Sequence, residues 1–195
     1  IEAAIVDDET FALLLLDIEK FYDSVPIAAL IRAGLKLGYS PTLLCLNVTI
    51  CLAYRSLKTA SGAADFIQPL RSIVAGLGEA DNLAKIIIYA ICEDHTKEHL
   101  GVRLRTFVDD IALLAKGREG VVAAQSARAA RDLAKGLMGI GFVVSAKSQL
   151  LTNSGKVEHV VQSALKGVGV SIKLTEQAVD LRIDLSNGLE GAGSS

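Results

Sequence analysis

The chain contains the segment Phe11-Ala12-Leu13-Leu14-Leu15-Leu16-Asp17, in which six apolar side chains run without interruption into an aspartate. A continuous apolar run of this length is typical of a β-strand that is buried on both faces. Asp17 would then lie where the strand leaves the core. A helix is predicted next, because Ser24 offers an N-cap, Pro26 suits the first turn and Gly38 suits the end.

Strand and helix patterns alternate along the rest of the chain. Helices are predicted over residues 41–54, 83–95, 118–138 and 157–166, and strands over 55–60, 66–74, 102–108, 111–115, 142–144, 149–152 and 179–185. Without a mostly helical insertion in the middle, the order is strand, helix, strand, strand, helix, strand. This order predicts an α+β fold built on a ferredoxin-like β-α-β-β-α-β unit.

The predicted topology brings two acidic segments together. Right-handed crossovers place the first two strands of the unit parallel, with the third strand antiparallel between them. The end of the first strand then lies beside the turn that joins the second strand to the third, which carries Asp109 and Asp110. We therefore expect Asp17 to meet this pair, although 92 residues separate Asp17 from Asp109.

Composition predicts a folded domain with little overall charge. Of the 195 residues 51% are hydrophobic, and 20 Lys and Arg against 22 Asp and Glu leave a net charge of −2, which by itself argues against a nucleic-acid partner. The charges are unevenly spread, however. Residues 1–30 hold seven acids and one base, whereas residues 111–156 hold seven bases and two acids. The net charge of the whole chain therefore conceals one acidic segment and one basic segment.

The spacing of the cysteines and the length of the apolar runs predict the compartment in which the protein resides. Cys45, Cys51 and Cys92 form no Cys-x-x-Cys pair, so neither a disulfide scaffold nor a zinc site is expected, and a reducing compartment is the default. No apolar stretch reaches the roughly 20 residues that span a bilayer. We expect an intracellular protein with no membrane partner.

Carboxylates that converge in a partly dry site repel one another unless a cation joins them. Oxygen ligands without histidine or thiolate suit Mg²⁺ or Mn²⁺. Two such ions about 4 Å apart can clamp the attacking and leaving oxygens of a phosphoryl transfer. The topology thus predicts a two-metal site for nucleotidyl transfer at Asp17, Asp109 and Asp110.

Three motifs resemble those of the palm domain of reverse transcriptases, in the family's order. The first runs from Leu15 to Ser24 as Leu-Leu-Asp-Ile-Glu-Lys-Phe-Tyr-Asp-Ser. The second, Phe107-Val108-Asp109-Asp110, resembles the aromatic-x-Asp-Asp hairpin of that family. The third, Gly141 to Lys147, is similar to the stretch that follows the next helix. The resemblance covers about residues 11–186 and favours the non-LTR or group II intron type.

The resemblance implies roles for individual residues. It makes Asp17, Asp109 and Asp110 catalytic carboxylates and metal ligands, with the carbonyl of Ile18 as a further ligand. The remaining implied roles concern the nucleotide: Lys147 would approach the triphosphate, Phe21 and Tyr22 would bind substrate, and Tyr22 would exclude a 2′-hydroxyl. Two ions, Mg²⁺ or Mn²⁺, would be the cofactors.

One loop departs from the family pattern. Where reverse transcriptases carry roughly Gly-x-Pro-Gln-Gly-Ser, this chain reads Gly76-Leu77-Gly78-Glu79-Ala80-Asp81. Gly76 fits, and Glu79 stands where a neutral amide would meet the nucleotide, so the resemblance places both in the substrate site. The negative charge of Glu79 is expected to weaken triphosphate binding. Arg182 likewise replaces a glycine in the strand beside the primer end.

The implied partners are an RNA or DNA template-primer, a deoxynucleoside triphosphate, and finger and thumb segments of a longer parent protein. Residues 1–155 would form the palm, 156–187 the connection to the thumb, and 188–195 a flexible tail. The location would be the nucleus if the chain comes from a eukaryotic mobile element.

Two alternatives stay open. The first is a degenerate palm that binds nucleic acid without turnover, which Glu79 and Ala80 favour. The second is a ferredoxin-like structural or interaction domain without metal chemistry. An RNA-dependent RNA polymerase is disfavoured, because Tyr22 would block ribose and the hairpin lacks the Gly-Asp-Asp form.

Overall fold

Strand β1 (Thr10–Leu16) lies in the middle of the main sheet. The computed structural model describes residues 9–56, 58–60, 62–63, 65–175, 177–180 and 183–186. The other strands are β2 (Lys58–Thr59), β3 (Gly62–Ala63), β4 (Arg103–Phe107), β5 (Asp110–Gly117), β6 (Gln149–Thr152), β7 (Lys173–Leu174), β8 (Gln177–Asp180) and β9 (Ile183–Ser186). The helices are α1 (Phe21–Ser24), α2 (Ile27–Lys36), α3 (Pro41–Cys51), α4 (Ala80–Glu98), α5 (Glu119–Gly139) and α6 (Gly155–Lys166).

The main sheet has the strand order β4-β5-β1-β6-β7. Strand β1 pairs antiparallel with β5 on one side and with β6 on the other, and β4 pairs antiparallel with β5. Strand β4 is therefore parallel to β1, with β5 between them. The predicted palm-like α+β fold and its ferredoxin-like strand order are both confirmed.

Both faces of β1 are buried, as the apolar run predicts. Leu14 and Leu16 belong to the main core, which includes residues of α2, α4, α5 and α6. Phe11, Leu13 and Leu15 point to the opposite face and form a smaller cluster with Ala112 and Leu151. Each of these large side chains contributes roughly 1.5–3 kcal/mol by leaving water. Burial on two faces is why the strand shows no alternation of apolar and polar residues.

The segment predicted as two strands around residue 61 differs in the structure. In the described part of this segment the strands are the short β2 and β3, and residues 66–74 contribute isolated bridges between Arg55 and Ile67 and between Pro26 and Arg71. Phe66 and Leu70 are 76% and 84% exposed, so no neighbouring described element packs against them. The apolar pattern predicted a strand that tertiary packing does not support.

Three smaller differences concern element ends. Helix α3 ends at Cys51 rather than near residue 54, and the expected last strand is the hairpin of β8 and β9. Ser24 closes the short helix α1 by donating to the carbonyl of Phe21, and Pro26 is the N-cap residue of α2.

The predictions for Arg182 and for residues 188–195 lie outside the described residues. Within the described part, no helix is both long and apolar enough to cross a membrane.

Candidate active site

The register of the main sheet places Asp17 beside the turn between β4 and β5. Leu16 pairs with Ile111, and Phe107 pairs with Asp110 across the turn that holds Asp109. Asp17 and Asp109 line the same open cleft, whose volume is about 600 Å³. That volume lies within the range of small-molecule sites. The end of β1 and the hairpin turn therefore lie side by side, and Asp17 and Asp109 share one cleft.

A third segment, residues 143–147, completes the cleft. The amide of Ser145 donates to the carbonyl of Asp17 at 2.8 Å, and the amide of Glu19 donates to the carbonyl of Val143 at 2.9 Å. These bonds flank a single bridge between Ile18 and Val144, which stands where a strand over 142–144 is predicted. The bridge leaves the carbonyl of Ile18 out of the pairing and brings Lys147 into the cleft wall.

Ser148 fixes the other side of the Asp17 backbone. Its Oγ accepts a hydrogen bond from the Asp17 amide at 3.1 Å, and the serine is 1% exposed. Asp17 is thus held through both its amide and its carbonyl. The sequence offers no signal for Ser148, because its partner lies 131 residues away.

Two residues that border the cleft have left-handed backbone conformations. Lys20 has φ 48°, and Val108, which precedes Asp109 in the turn, has φ 57°. Residues other than glycine rarely adopt this region of backbone conformation, and a β-branched residue there is strained. Such strain costs about 1–3 kcal/mol and is concentrated at functional sites. The hairpin lacks the glycine that such turns favour, and the structure shows that Val108 takes the strained position.

The cleft carries both signs of charge. Asp17, Glu19 and Asp109 line it together with Lys20 and Lys147. Sequence reasoning did not single out Glu19 or Lys20, although both lie inside the first motif. Opposite charges in one open cleft can bind a ligand that is both anionic and associated with cations, such as a metal-bound phosphate.

The cleft offers two of the three predicted carboxylate ligands for a divalent cation. Among the described residues, no group of three or more His, Cys, Asp or Glu side chains lies close enough to hold a metal ion. Asp110 begins β5 and is not among the residues that line the cleft, so its metal role stays a prediction. Asp17 and Asp109 are still a suitable pair, because Mg²⁺ is commonly bound by one or two carboxylates plus substrate phosphates.

The two aromatic residues of the first motif take different positions. Phe21 is 3% exposed and packs on Phe142 and Tyr22, with ring centroids 5.4 Å apart in each case. Phe21 therefore forms a buried part of the cleft wall. Tyr22 is half-buried, and its hydroxyl donates to Asp81 Oδ1 at 2.9 Å.

The pKa of Tyr22 is higher than that of an ordinary tyrosine. Burial raises this pKa, and the hydrogen bond to Asp81, the charge of Asp81 and the charge of Asp109 raise it further, to about 12. The phenol is therefore held in its neutral form. Tyr22 follows Phe21, which lines the cleft, and therefore lies beside the candidate site.

Gly76 and Glu79 do not line the cleft. Gly76 has φ 85° in the turn closed by the hydrogen bond from the Leu77 amide to the Val74 carbonyl, a position that favours glycine. Glu79 is the N-cap residue of α4 without a side-chain bond to the helix backbone, and its Oε2 accepts from Tyr39 Oη at 3.2 Å and from Asn82 Nδ2 at 2.9 Å. The charge of Glu79 is thus engaged by two donors and by the helix N-terminus.

Comparisons with known proteins agree with the fold. No protein-family model and no curated protein matches the chain. Among solved structures, it is similar to telomerase from Candida tropicalis and telomerase from Candida albicans, each in complex with a TWJ fragment of telomeric RNA. The TM-score is 0.57 in both cases, with 11% and 15% sequence identity. The alignments cover 79% of this chain and 29% of each telomerase chain, so this palm-like α+β fold is similar to that of a part of those proteins.

Proposed function

We propose that this chain is the palm of an RNA-directed DNA polymerase, which adds deoxynucleotides to a primer on an RNA template. The observation that carries the proposal is the shared cleft of Asp17, Asp109 and Lys147, built from segments far apart in the sequence. The similarity to telomerase structures solved with RNA supports nucleic acid as the ligand. The three sequence motifs favour a relative of the non-LTR or group II intron enzymes.

In this proposal the acidic and basic sides of the cleft have separate tasks. Asp17 and Asp109, with the Ile18 carbonyl, would hold Mg²⁺ or Mn²⁺. When bound there, the two ions would supply charge neutralisation at the reacting phosphate. Lys147 would bind the anionic triphosphate and orient it. Ser145 and Ser148 keep Asp17 in place through its backbone.

Primer extension with an oligo(dT) primer on poly(rA) tests this function. The longer parent protein, which would carry this chain together with finger and thumb segments, should extend the primer in the presence of Mn²⁺ or Mg²⁺. Asp17→Asn and Asp109→Asn should each abolish extension, because each removes a charged ligand. Asp94→Asn is the matched control, since Asp94 is an exposed acid on α4 that pairs with Lys36. Equal extension by wild type and Asp109→Asn contradicts the proposal.

A second candidate is a palm that binds nucleic acid without turnover. It is favoured by the finding that the described residues include no group of three metal-binding side chains. A parent protein that binds an RNA·DNA hybrid but extends no primer under any metal condition would support this candidate. A chain that binds neither hybrid nor nucleotide would instead favour a structural or interaction domain.

A further inference from the structure

Strand β4 is an edge strand of the main sheet and carries two arginines on one face. Arg103 pairs with Leu114 and Arg105 pairs with Ala112, and paired residues of antiparallel strands point to the same side. Ala112 and Leu114 belong to the smaller cluster on the face away from α5. Arg103 and Arg105 therefore lie on the sheet face opposite the helices.

The same face leads to the candidate active site. Phe107 follows in the same alternation, pairs with Asp110 and is 67% exposed. Asp109 comes two residues later and lines the cleft. Four residues of chain join Arg105 to Asp109, so at no more than about 3.4 Å per residue their Cα atoms lie within roughly 14 Å of each other. An elongated ligand that ends in the cleft can thus pass over both arginines.

Neither arginine is neutralised by the protein. Their backbones pair with β5, but among the described residues no side-chain hydrogen bond or ion pair reaches the guanidinium of Arg103 or Arg105, and both residues are exposed. On α5, by contrast, Arg128 and Arg131 both reach Asp132, at 3.9 and 2.9 Å. Arg103 and Arg105 lie about 7 Å apart along a regular strand, and their guanidinium groups form a positive strip on one face of it. A polyanion with regularly repeated charges complements such a strip.

We infer that Arg103 and Arg105 bind the sugar-phosphate backbone of a nucleic-acid duplex whose strand end reaches the cleft of Asp17 and Asp109. The inference rests on the proposed function for the identity of the ligand. Arginine suits this task because its planar guanidinium can donate two hydrogen bonds to one phosphate. Contacts of this kind position a duplex without reading its sequence.

Edge strands also carry charges for another reason. Exposed arginines or lysines can prevent an edge from pairing with the edge of a second molecule. This role predicts that loss of the arginines changes the oligomeric state but leaves nucleic-acid affinity intact. The two roles therefore give opposite results in a binding experiment.

The experiment measures binding of a fluorescent RNA·DNA hybrid of about 20 base pairs at a series of salt concentrations. The full chain is compared with Arg103→Ala/Arg105→Ala and with the charge-preserving variant Arg103→Lys/Arg105→Lys. Arg128→Ala/Lys135→Ala is the matched control, because it removes two exposed positive charges from α5. Circular dichroism and light scattering report the folding and the oligomeric state of each variant.

The slope of log K against log salt should fall by about 2 in the alanine variant, since each lost phosphate contact removes about one released counterion. Its Kd should rise by roughly 60-fold at about 0.1 M salt and converge with wild type near 1 M. The lysine variant should keep most of the slope, and the control variant should match wild type.

Two results overturn the inference. One is an unchanged slope in a folded Arg103→Ala/Arg105→Ala variant whose wild-type parent binds the hybrid, in which case the proposed function still stands. The other is an equal loss of slope in the α5 control, which would mean that overall charge, and not the β4 strip, sets the affinity. If the wild-type chain shows no salt-dependent binding at all, the proposed function fails together with the inference.

Discussion

The hydroxyl of Ser148 accepts a hydrogen bond from the amide of Asp17 at 3.1 Å, which ties the end of β1 to the start of β6. The carbonyl of Asp17 is held on the other side by the amide of Ser145 at 2.8 Å. The candidate catalytic aspartate is therefore positioned by residues that follow α5 in the chain. Its own motif does not supply these contacts.

Ser148→Ala should lower the free energy of unfolding by about 1–3 kcal/mol, because the Asp17 amide loses its acceptor at a site where Ser148 is 1% exposed. Urea denaturation measures the change. Ser163→Ala, at an exposed serine of α6, is the control and should change the stability by less than about 0.5 kcal/mol. Equal effects of the two substitutions would show that the hydroxyl of Ser148 does not stabilise the fold.

Mn²⁺ should raise the melting temperature through Asp17 and Asp109. At a free metal concentration of about ten times Kd the gain is about 1.4 kcal/mol. For a chain of this length that corresponds to about 3–6 °C. Asp109→Asn should abolish the gain, whereas Asp94→Asn should keep it. A wild-type chain whose melting temperature does not respond to Mn²⁺ or Mg²⁺ would refute metal binding at this cleft.

Asp81→Asn should lower the pKa of Tyr22 from about 12 toward the ordinary value of 10.0, because the carboxylate charge that disfavours the phenolate is removed. The fall should be incomplete, since burial and Asp109 still act on the phenol. Absorbance of tyrosinate in an alkaline titration measures it, with Tyr22→Phe to assign the signal. The raised pKa also means that Tyr22 contributes stability below pH 10 that is lost as the pH rises toward 12. Identical titrations of wild type and Asp81→Asn would contradict the observed contact.

Val108→Gly should cost much less stability than Val144→Gly. Both valines are half-buried and pack against the main core, but only Val108 has a positive φ, of 57°. Glycine relieves strain of about 1–2 kcal/mol there, which offsets the lost side-chain packing. Val144→Gly has no such relief and should cost about 1–3 kcal/mol in urea denaturation. A larger loss at Val108 than at Val144 would argue against the strained turn.

The stability of the protein should fall as the pH drops below about 6.5, because of His95. Burial lowers the pKa of His95, although the carbonyl of Ala129, 2.9 Å from Nε2, raises it in part. The ring also faces His99, whose centroid is 4.4 Å away, with Asp132 and Glu98 as the nearby acids. Since the unfolded chain binds the proton more readily, stability is complete above the unfolded pKa and is lost on acidification.

His95→Gln should flatten the dependence of the melting temperature on pH between about 5 and 7. His159→Gln is the control, because His159 is exposed on α6 and should leave the dependence as in wild type. If both variants keep the wild-type pH dependence, the buried histidine is not its source.

Local sequence patterns predicted the elements that packing also favours. The apolar run of residues 11–16 is buried on both faces, and the helix pattern of residues 118–138 corresponds closely to α5. The pattern of residues 66–74 failed, because a strand needs a partner and this segment forms only single bridges. Apolar side chains indicate what can be buried, and the presence of a neighbouring surface decides whether burial occurs.

The sequence alone determined the strand order and therefore that Asp17 and Asp109 meet, because crossover handedness leaves few topologies for that order of elements. Only the tertiary structure decided which residues share the cleft: Lys147 and Asp109 line it, whereas Asp110 and Glu79 do not. The reason is geometric. Strand order alone locates a residue only to within the distance between neighbouring strands, about 4.8 Å. Turn conformation and hydrogen bonds from distant segments, such as that from Asp17 to Ser148, set which side chains reach the cleft.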